Sequence, residues 1–428
     1  MNLKKTNSKL TLVYTFTFLL LMIVTQAGAQ NQITLKGRIL DSETKQPLSF
    51  ATISIPQSMT GVISNEFGEF QYHIPEKFKK GEVQITFIGY DPIKIDVSKI
   101  KSDVLTTFKM QPKIQQLKEV EITSIKGKTP ASDIVFKAVR YIAKTHPNKE
   151  TLLYGYYRDY VRPIQSNDYK NLLEAAVVID DKGFNTFDSK TKIKLEQLRF
   201  KPDVAIDSSL NSAYDGKNKF VPNARLSGAN ELSILRAHDP IRNHDIQTFS
   251  YVNIFDDGFY ANHNFLYEDI TRVNSDTIYC IHFDTHIKFD KTQTDYKVDG
   301  QIYIISKTYA ILKFNYTVTC NSPTYSGKFF DLKLEYKNYN DKYYLNYLSL
   351  MNFFVIKNDT ASNKDTATAT PFFQYRELFI NKIVNKPFEA FKPHETISKA
   401  APLQTNKVPV KEGFWDRYNY TDVSKLQE

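Results

Sequence analysis

The sequence predicts a mainly β protein. An N-terminal seven-strand-type β-sandwich is followed by a larger antiparallel β-meander domain with one packing helix. Three observations lead there. Between residues 33 and 97, short period-two segments are separated by turn residues every 8–12 positions. Long period-two segments recur at 295–306, 311–320 and 331–337. Only one stretch, 129–146, carries a clear helical stripe. The 27 Tyr and 30 Phe against 15 Gly suit strands with aromatic cores.

The first 29 residues have the form of a signal peptide. Lys4, Lys5 and Lys9 make a basic start, Leu10 to Val24 an apolar run, and Ala27-Gly28-Ala29 a small-residue cleavage site. The run is short for a membrane span of about 20 residues. The mature chain is expected to begin at Gln30, and no later stretch is apolar enough for a membrane helix. Removing three lysines takes the formal charge from +9 to +6, with no basic block. That balance suits loose contact with anionic envelope surfaces and argues against nucleic-acid recognition.

The sandwich is expected over 30–110. Ile33, Leu35, Gly37 and Ile39 share one face of a strand, and Asp41 to Pro47 reverses the chain. Ala51, Ile53 and Ile55 alternate next. Asn65-Glu66-Phe67-Gly68 makes a hairpin whose Gly68 can take positive φ. Phe70, Tyr72 and Ile74, then Val83, Ile85 and Phe87, supply further apolar faces. In order, Gly37 to Asp41, Pro47 to Ile53, Gly61 to Ser64, Gly68-Glu69-Phe70 and Phe87-Ile88-Gly89-Tyr90 resemble the carboxypeptidase regulatory-like domain. The resemblance implies a transthyretin-like sandwich and a place in the bacterial envelope. It implies no activity, because in zinc carboxypeptidases this module lies outside the catalytic domain.

Residues 111–128 read as a linker. Within it Leu117 to Ile122 resembles the strand that follows this module in TonB-dependent outer-membrane receptors. Those receptors continue into a plug and a barrel of about 22 strands, for which the remaining length is too small. The large domain is expected over 129–384. Its helix starts with Thr129 as N-cap and Pro130 in the first turn, and Pro147 ends it. Ile134, Ala138, Tyr141 and Ile142 form the packing stripe. Strands are expected at 153–163, 172–181, 191–200, 277–289 and 343–356 besides the three named, with 204–250 irregular except for a short helix near Asn230 to Arg236. One face of the meander is wet, and the helix covers the other. That layout resembles the lipoprotein-carrier type of envelope protein. Ala131 to Tyr160, with Tyr156-Tyr157-Arg158, is similar to the segment after the same module in a group of uncharacterised envelope proteins. Residues 385–428 read as a tail that Trp415 and nearby tyrosines could dock.

Chemistry-bearing residues are few. His73-Ile74-Pro75-Glu76 has the spacing of a zinc-carboxypeptidase ligand pair but no third ligand. His282, Asp284 and His286 share a strand face, yet the two histidines would lie about 13 Å apart. His238-Asp239 and His244-Asp245, with Asp256 and Asp257, are the candidate polar cluster, in a loop where functional residues concentrate. Asp359-Thr360-Ala361 and Asp365-Thr366-Ala367 resemble the acidic-Thr-small acceptor for O-glycosylation at Thr360 and Thr366, although a plain solvated loop is the simpler and preferred reading. Strand parity puts Cys280 with the polar set and Cys320 with the apolar set, which argues against a disulfide. There is no phosphate loop or nucleophile elbow.

The expectation is therefore a non-enzymatic exported envelope protein with a docking or structural role, in the periplasm, at the outer membrane or on the cell surface. No catalytic residue, metal or cofactor is assigned, and the partner is another envelope protein or component. A carrier or sensor of an apolar, lipid-like ligand is the alternative, with a pocket at Phe314, Tyr316, Val318 and Ile142. A hydrolase with an unrecognised site is the third reading.

Overall fold

The structure is a computed structural model that describes residues 33–56, 58, 60–65, 67–102, 104–113, 130–164, 169–186, 188–200, 230–244, 257–273, 276–289, 293–323, 325–357 and 369–419. The signal segment, Thr129, Leu117 to Ile122, Asp245, Asp256, Thr360 and Thr366 fall outside it.

Seven strands build the sandwich: β1 (Ile33–Asp41), β2 (Thr52–Ser54), β3 (Gly61–Ile63), β4 (Glu69–Ile74), β5 (Glu82–Thr86), β6 (Ile93–Asp96) and β7 (Leu105–Met110). They form a three-stranded sheet, β4-β1-β7, and a four-stranded sheet, β3-β2-β5-β6. Leu35, Ile39, Ile53, Phe70, Tyr72, Val83 and Ile85 fill the space between them. The predicted hairpin stands: Gly68 has φ +75°, and a Cβ there would lie 2.3 Å from the Ile39 carbonyl oxygen. Asn65 Oδ1 fixes the turn by accepting from the Phe67 and Glu69 N–H groups at 2.9 and 2.8 Å.

The large domain opens with α1 (Ala131–Thr145) and the strands β8 (Thr151–Pro163), β9 (Lys170–Asp181) and β10 (Lys192–Phe200). Two short helices follow, α2 (Glu231–Ala237) and α3 (Asp257–Asn262). The meander then runs through β11 (Asn264–Val273), β12 (Asp276–Phe289), β13 (Thr294–Ile305), β14 (Ile311–Asn321), β15 (Ser326–Tyr339), β16 (Lys342–Lys357) and β17 (Ala369–Asn385). Together they make one ten-stranded sheet in the order β10-β9-β8-β17-β16-β15-β14-β13-β12-β11. Every neighbouring pair in it is antiparallel.

One sheet face carries the helices. Ile134, Val135, Ala138, Val139 and Ile142 of α1, Leu232 and Leu235 of α2 and Phe259 of α3 join the inward residues of the strands in one core. The stripe on α1 is wider than predicted, since Val135 and Val139 are buried and Tyr141 sits at its margin. Pro130, not Thr129, occupies the N-cap position, without a side-chain cap. α2 matches the helix expected near Asn230, whose Oδ1 accepts from the Ser233 N–H at 2.8 Å. Strand β11 was not anticipated. Its sequence shows little alternation because it is an edge strand with a bulge between Tyr267 and Asp269.

The other face is covered at its centre by the sandwich. Phe50 stacks on Tyr347 with ring centroids 4.6 Å apart, and Ile63 packs with Tyr156, Tyr347 and Phe379. Lys333 lies over the Phe50 ring and Lys313 over Phe87. The described tail starts on the helix side, against α2, and passes edge strand β10 to reach this joint. Ile397 N–H donates to the Ile193 carbonyl of edge strand β10 at 2.9 Å, and Gln197 Nε2 donates to Pro409 O. A single-turn helix, α4 (Phe414–Arg417), then places Trp415 edge-on to Tyr156 and beneath the Arg199 guanidinium at 4.2 Å. Tyr418 donates to Gly155 O, and the Asn419 amide accepts from His73 N–H at 2.7 Å. The tail is thus a strap across the joint.

Strands β8 and β9 and strand β17 are consequently covered on both faces, which sets their charges to work. Arg158 faces the sandwich and pairs with Glu377, while its neighbour Asp159 faces the helices and pairs with Arg376 at 3.0 Å. Both are cross-strand pairs in register, Arg158 opposite Glu377 and Asp159 opposite Arg376. Tyr347 also donates to Glu377, at 2.6 Å, and Gln374 to Asp159, at 3.1 Å.

Cys280 lies opposite Tyr303 on β13, and Cys320 opposite Tyr296. Seven residues of one strand therefore separate them, about 24 Å, against the 4.4–6.8 Å (roughly) that a disulfide spans. Both are free thiols; Cys280 donates to Glu268 on the polar face and Cys320 lies in the helix-side core.

Truncating Glu377 to Ala strands a buried guanidinium and a tyrosine hydroxyl. It is expected to cost about 3–5 kcal/mol, read as a lowered urea midpoint, and a Glu377→Gln variant should lose less. Removing residues 393–428 should raise amide exchange at Asn230, whose N–H donates to Lys399 O, and at His73 together while β12 to β14 stay protected. Unchanged exchange at His73 would mean the strap does not hold the joint.

Candidate functional site

The predicted polar cluster centres on the segment after α2. Asp239 Oδ1 accepts from the Ile241 and Arg242 N–H groups, both at 2.9 Å, and closes a turn that returns Arg242 toward Arg236. Tyr336 of β15 donates to Asp239 Oδ2 at 2.6 Å. At the end of β9, Asp181 receives Arg236 Nη2 at 2.7 Å and Arg242 Nε at 3.2 Å. Arg236 also pairs with Asp188, and Arg242 Nη1 donates to Thr186 O at 2.9 Å. Gly183, at φ +86°, lets the chain turn so that its N–H meets Asp181 Oδ1 at 2.8 Å. A Cβ there would lie 2.8 Å from the backbone of Asn148.

These groups line a water-sized cleft with Phe184, whose ring lies beneath the Arg242 guanidinium at 5.2 Å. Electrostatics splits its carboxyls. Burial pushes Asp181 upward, but Arg236 and Arg242 outweigh it and hold it down at about 2. Burial pushes Asp239 up to about 6, against the hydrogen bond from Tyr336. Arg236 Nε and Arg242 Nη2 face the interior with no hydrogen-bond partner.

Among the described members of the predicted cluster, only Asp239 lines the cleft. His238 Nδ1–H donates to Ile234 O at 2.7 Å, and the His244 Nδ1 lies 3.2 Å from Ile241 O. Both imidazoles thus serve main-chain carbonyls of the turn. Asp257 is the first residue of α3. Unpredicted members are Asp181, Asp188, Arg236, Arg242 and Tyr336, which come from β9, the turn after it, α2, the turn after α2 and β15. Only the spacing of Arg236, Asp239 and Arg242 hinted at them. A further histidine, His146, is wholly buried beside Tyr336 and Phe184, and burial pushes it down to about 3, so it is neutral.

The remaining candidates are dispersed. His73 Nδ1 lies 3.0 Å from Thr34 Oγ1 and its Nε2 2.9 Å from Gln71, whereas Glu76 pairs with Lys79 at 2.6 Å. His282 meets Asp299 at 3.1 Å, His286 meets Asp295 at 3.8 Å, and Asp284 accepts from Asn264 at 2.8 Å. They are separate cross-strand contacts on the wet face. Phe314, Tyr316, Val318 and Ile142 are packed in the core at 0–1% exposure and do not line the cleft. Among the described residues, no three His, Cys, Asp or Glu side chains converge as a metal site, and no helix is long and apolar enough to cross a membrane.

Chemically, the cleft offers two guanidiniums compensated by carboxylates, a phenol and a carboxyl with a raised pKa, in a space that admits a water molecule. Asp239 binds more protons folded than unfolded between pH 4 and 6, so its contribution to stability falls as pH rises through that window. His146 acts oppositely, because the unfolded chain takes up a proton below its ordinary value near 6.5 and the folded one does not. Asp239→Asn keeps one oxygen as acceptor for the Ile241 and Arg242 N–H groups and turns the other position into an N–H donor, for which the Tyr336 hydroxyl becomes the acceptor. It is expected to gain stability over the parent at pH 7.5, on the order of 3 kcal/mol, and to gain little at pH 4. Parallel urea titrations at the two pH values check this, and a pH-independent difference would contradict it.

Comparison with known proteins supports the first domain only. Residues 35–122 match the family described as CarboxypepD_reg-like domain, and they form such a domain. No curated protein matches the chain at a significant level. Among solved structures, a LolA superfamily protein from Nitrosomonas europaea is 10% identical over 61% of this chain and 96% of its own, with a TM-score of 0.21. A DUF1329 family protein from Desulfovibrio piger is 8% identical over 59% of this chain and 94% of its own, also at 0.21. A protein from Bacteroides fragilis, described as a candidate membrane-associated protein of unknown function, is 9% identical over 82% and 98%, at 0.15. At these scores the three likenesses carry no argument about this chain.

Proposed function

We propose that this chain, an N-terminal CarboxypepD_reg-like domain joined to a ten-stranded meander, is a non-enzymatic component of the bacterial cell envelope. In this reading the leader exports it, the sandwich is locked onto the sheet, and the assembled body is a rigid platform that engages another envelope component. The observation that carries the reading is the filled interior. The helix side of the sheet is packed with its own side chains, and the one described cleft holds charges that neutralise one another.

The carrier reading needs a ligand-sized apolar cavity, and the residues nominated for it are buried in the packed core. The hydrolase reading needs an accessible acid–base pair, whereas the imidazoles nearest the cleft serve carbonyls of their own turn.

Native mass spectrometry of the mature protein purified from its host envelope tests the proposal. A bare mass, or one carrying a stoichiometric protein partner, is expected. A lipid-sized adduct would replace the reading with the carrier, and a stoichiometric metal with the hydrolase.

A further inference from the structure

Helix α1 buries one stripe and presents another to solvent, and the exposed stripe is unusual in chemistry. It holds Lys137, Arg140 and Lys144, and beside them Phe136, an aromatic ring left 45% exposed on the outside of the protein. Each cation is seated over a ring. Lys137 lies 4.0 Å from the centroid of Tyr309, Lys144 4.7 Å from Tyr141, and Arg140 5.7 Å from Phe136. Tyr141 and Tyr309 are themselves 5.6 Å apart, and Phe136 stands edge-on to Tyr260 at 5.4 Å. Lys342 adds a fourth cation at the helix C-terminus, where its Nζ donates to the Lys144 carbonyl.

Among the described residues none of these four side chains is in an ion pair, while lysines elsewhere in the domain, such as Lys182, Lys194 and Lys313, each have a carboxylate partner. Asp133, one turn earlier, is the only acid on the exposed stripe. Aromatic rings therefore hold the cationic heads in a row without neutralising them. The three helix cations, Lys137 to Lys144, span two turns of α1, about 10 Å.

We propose that this face of α1 is a contact surface for the phosphate headgroups of an anionic lipid bilayer. A row of unpaired Lys and Arg attracts such a surface, with each cation contributing about a factor of five in binding. Phe136 and the adjoining tyrosines have the size and polarity to sit at headgroup depth. A helix flank is convex and narrow, which suits a flat, fluid surface better than the roughly 800 Å² of shaped area that a stable protein contact buries per side. The inference rests on the envelope location proposed above but not on the platform role.

The test is sedimentation of the mature protein with vesicles of equal parts phosphatidylglycerol and phosphatidylcholine, and with phosphatidylcholine alone, at low and high salt. Binding to the anionic vesicles only, reversed by salt, is expected. Lys137→Gln/Arg140→Gln/Lys144→Gln should weaken it about a hundredfold, and Phe136→Ser several-fold. A control triple, Lys94→Gln/Lys99→Gln/Lys109→Gln on the sandwich, should bind as the parent does. Circular dichroism melts show that each variant is folded. No vesicle binding, or equal weakening by both triples, would overturn the proposal. Binding to soluble polyglutamate as tight as to vesicles, and indifferent to Phe136, would replace the lipid with an acidic polypeptide. Because the assay uses defined vesicles, failure speaks to this surface alone and leaves the envelope reading to the adduct measurement.

Discussion

The large domain depends on how β8 meets β17. These strands lie more than 200 residues apart in sequence, the two joining pairs being separated by 219 and 217 positions. They are where the β8–β10 wing is attached to the meander. Arg158 and Asp159 are adjacent, so they point to opposite faces, and Glu377 and Arg376 answer them in the same order. Slipping by one residue would set Arg158 against Arg376, or Asp159 against Glu377. Like charges would then be buried face to face, at a cost well above what apolar repacking could recover. The reciprocal pair therefore specifies the register as well as joining the strands.

Such pairs exist because the middle of the sheet has no wet side. The helices cover one face, and the sandwich with the C-terminal strap covers the other. Every charge on β8 and β17 in that zone must find a partner within the protein, and tyrosine hydroxyls take up the remaining carboxylate lone pairs: Tyr156 on Glu174, Tyr157 on Asp159 and Tyr347 on Glu377. Farther along, from β11 to β13, the sheet returns to ordinary alternation, and His282, Asp284 and His286 stand in solvent with cross-strand partners. Polarity along the sheet follows coverage, not strand type.

The cleft beside Asp181 repeats this logic. Arg236 and Arg242 converge because α2 is short and Asp239 turns the chain back immediately after it. Asp181 meets both because Gly183 permits a sharp exit from β9. The result is a buried bridge between the helix layer and the sheet, with one carboxyl, Asp239, near its midpoint of titration in mildly acidic solution. Its strongest geometric relations are to main-chain N–H groups and to Tyr336, which are structural relations.

The sequence by itself determined the elements. Alternation gave the two-sheet sandwich, because strands such as β5 sort apolar from polar residues between a covered and an open face, and Gly68 marked its hairpin through a conformation other residues resist. The same alternation gave the meander and its wet face, and the helical stripe gave α1. Parity alone placed Cys280 and Cys320 on opposite sides. Tertiary structure decided whatever required knowing what covers what. Strand β11 escaped notice because an edge strand with a bulge need not alternate. The strap looked structureless because its residues bond to other segments and carry no period of their own. The charge pairs of β8 and β17 and the arginines around Asp181 were invisible because opposite charges far apart in sequence become partners only when a register and a second covering layer bring them together.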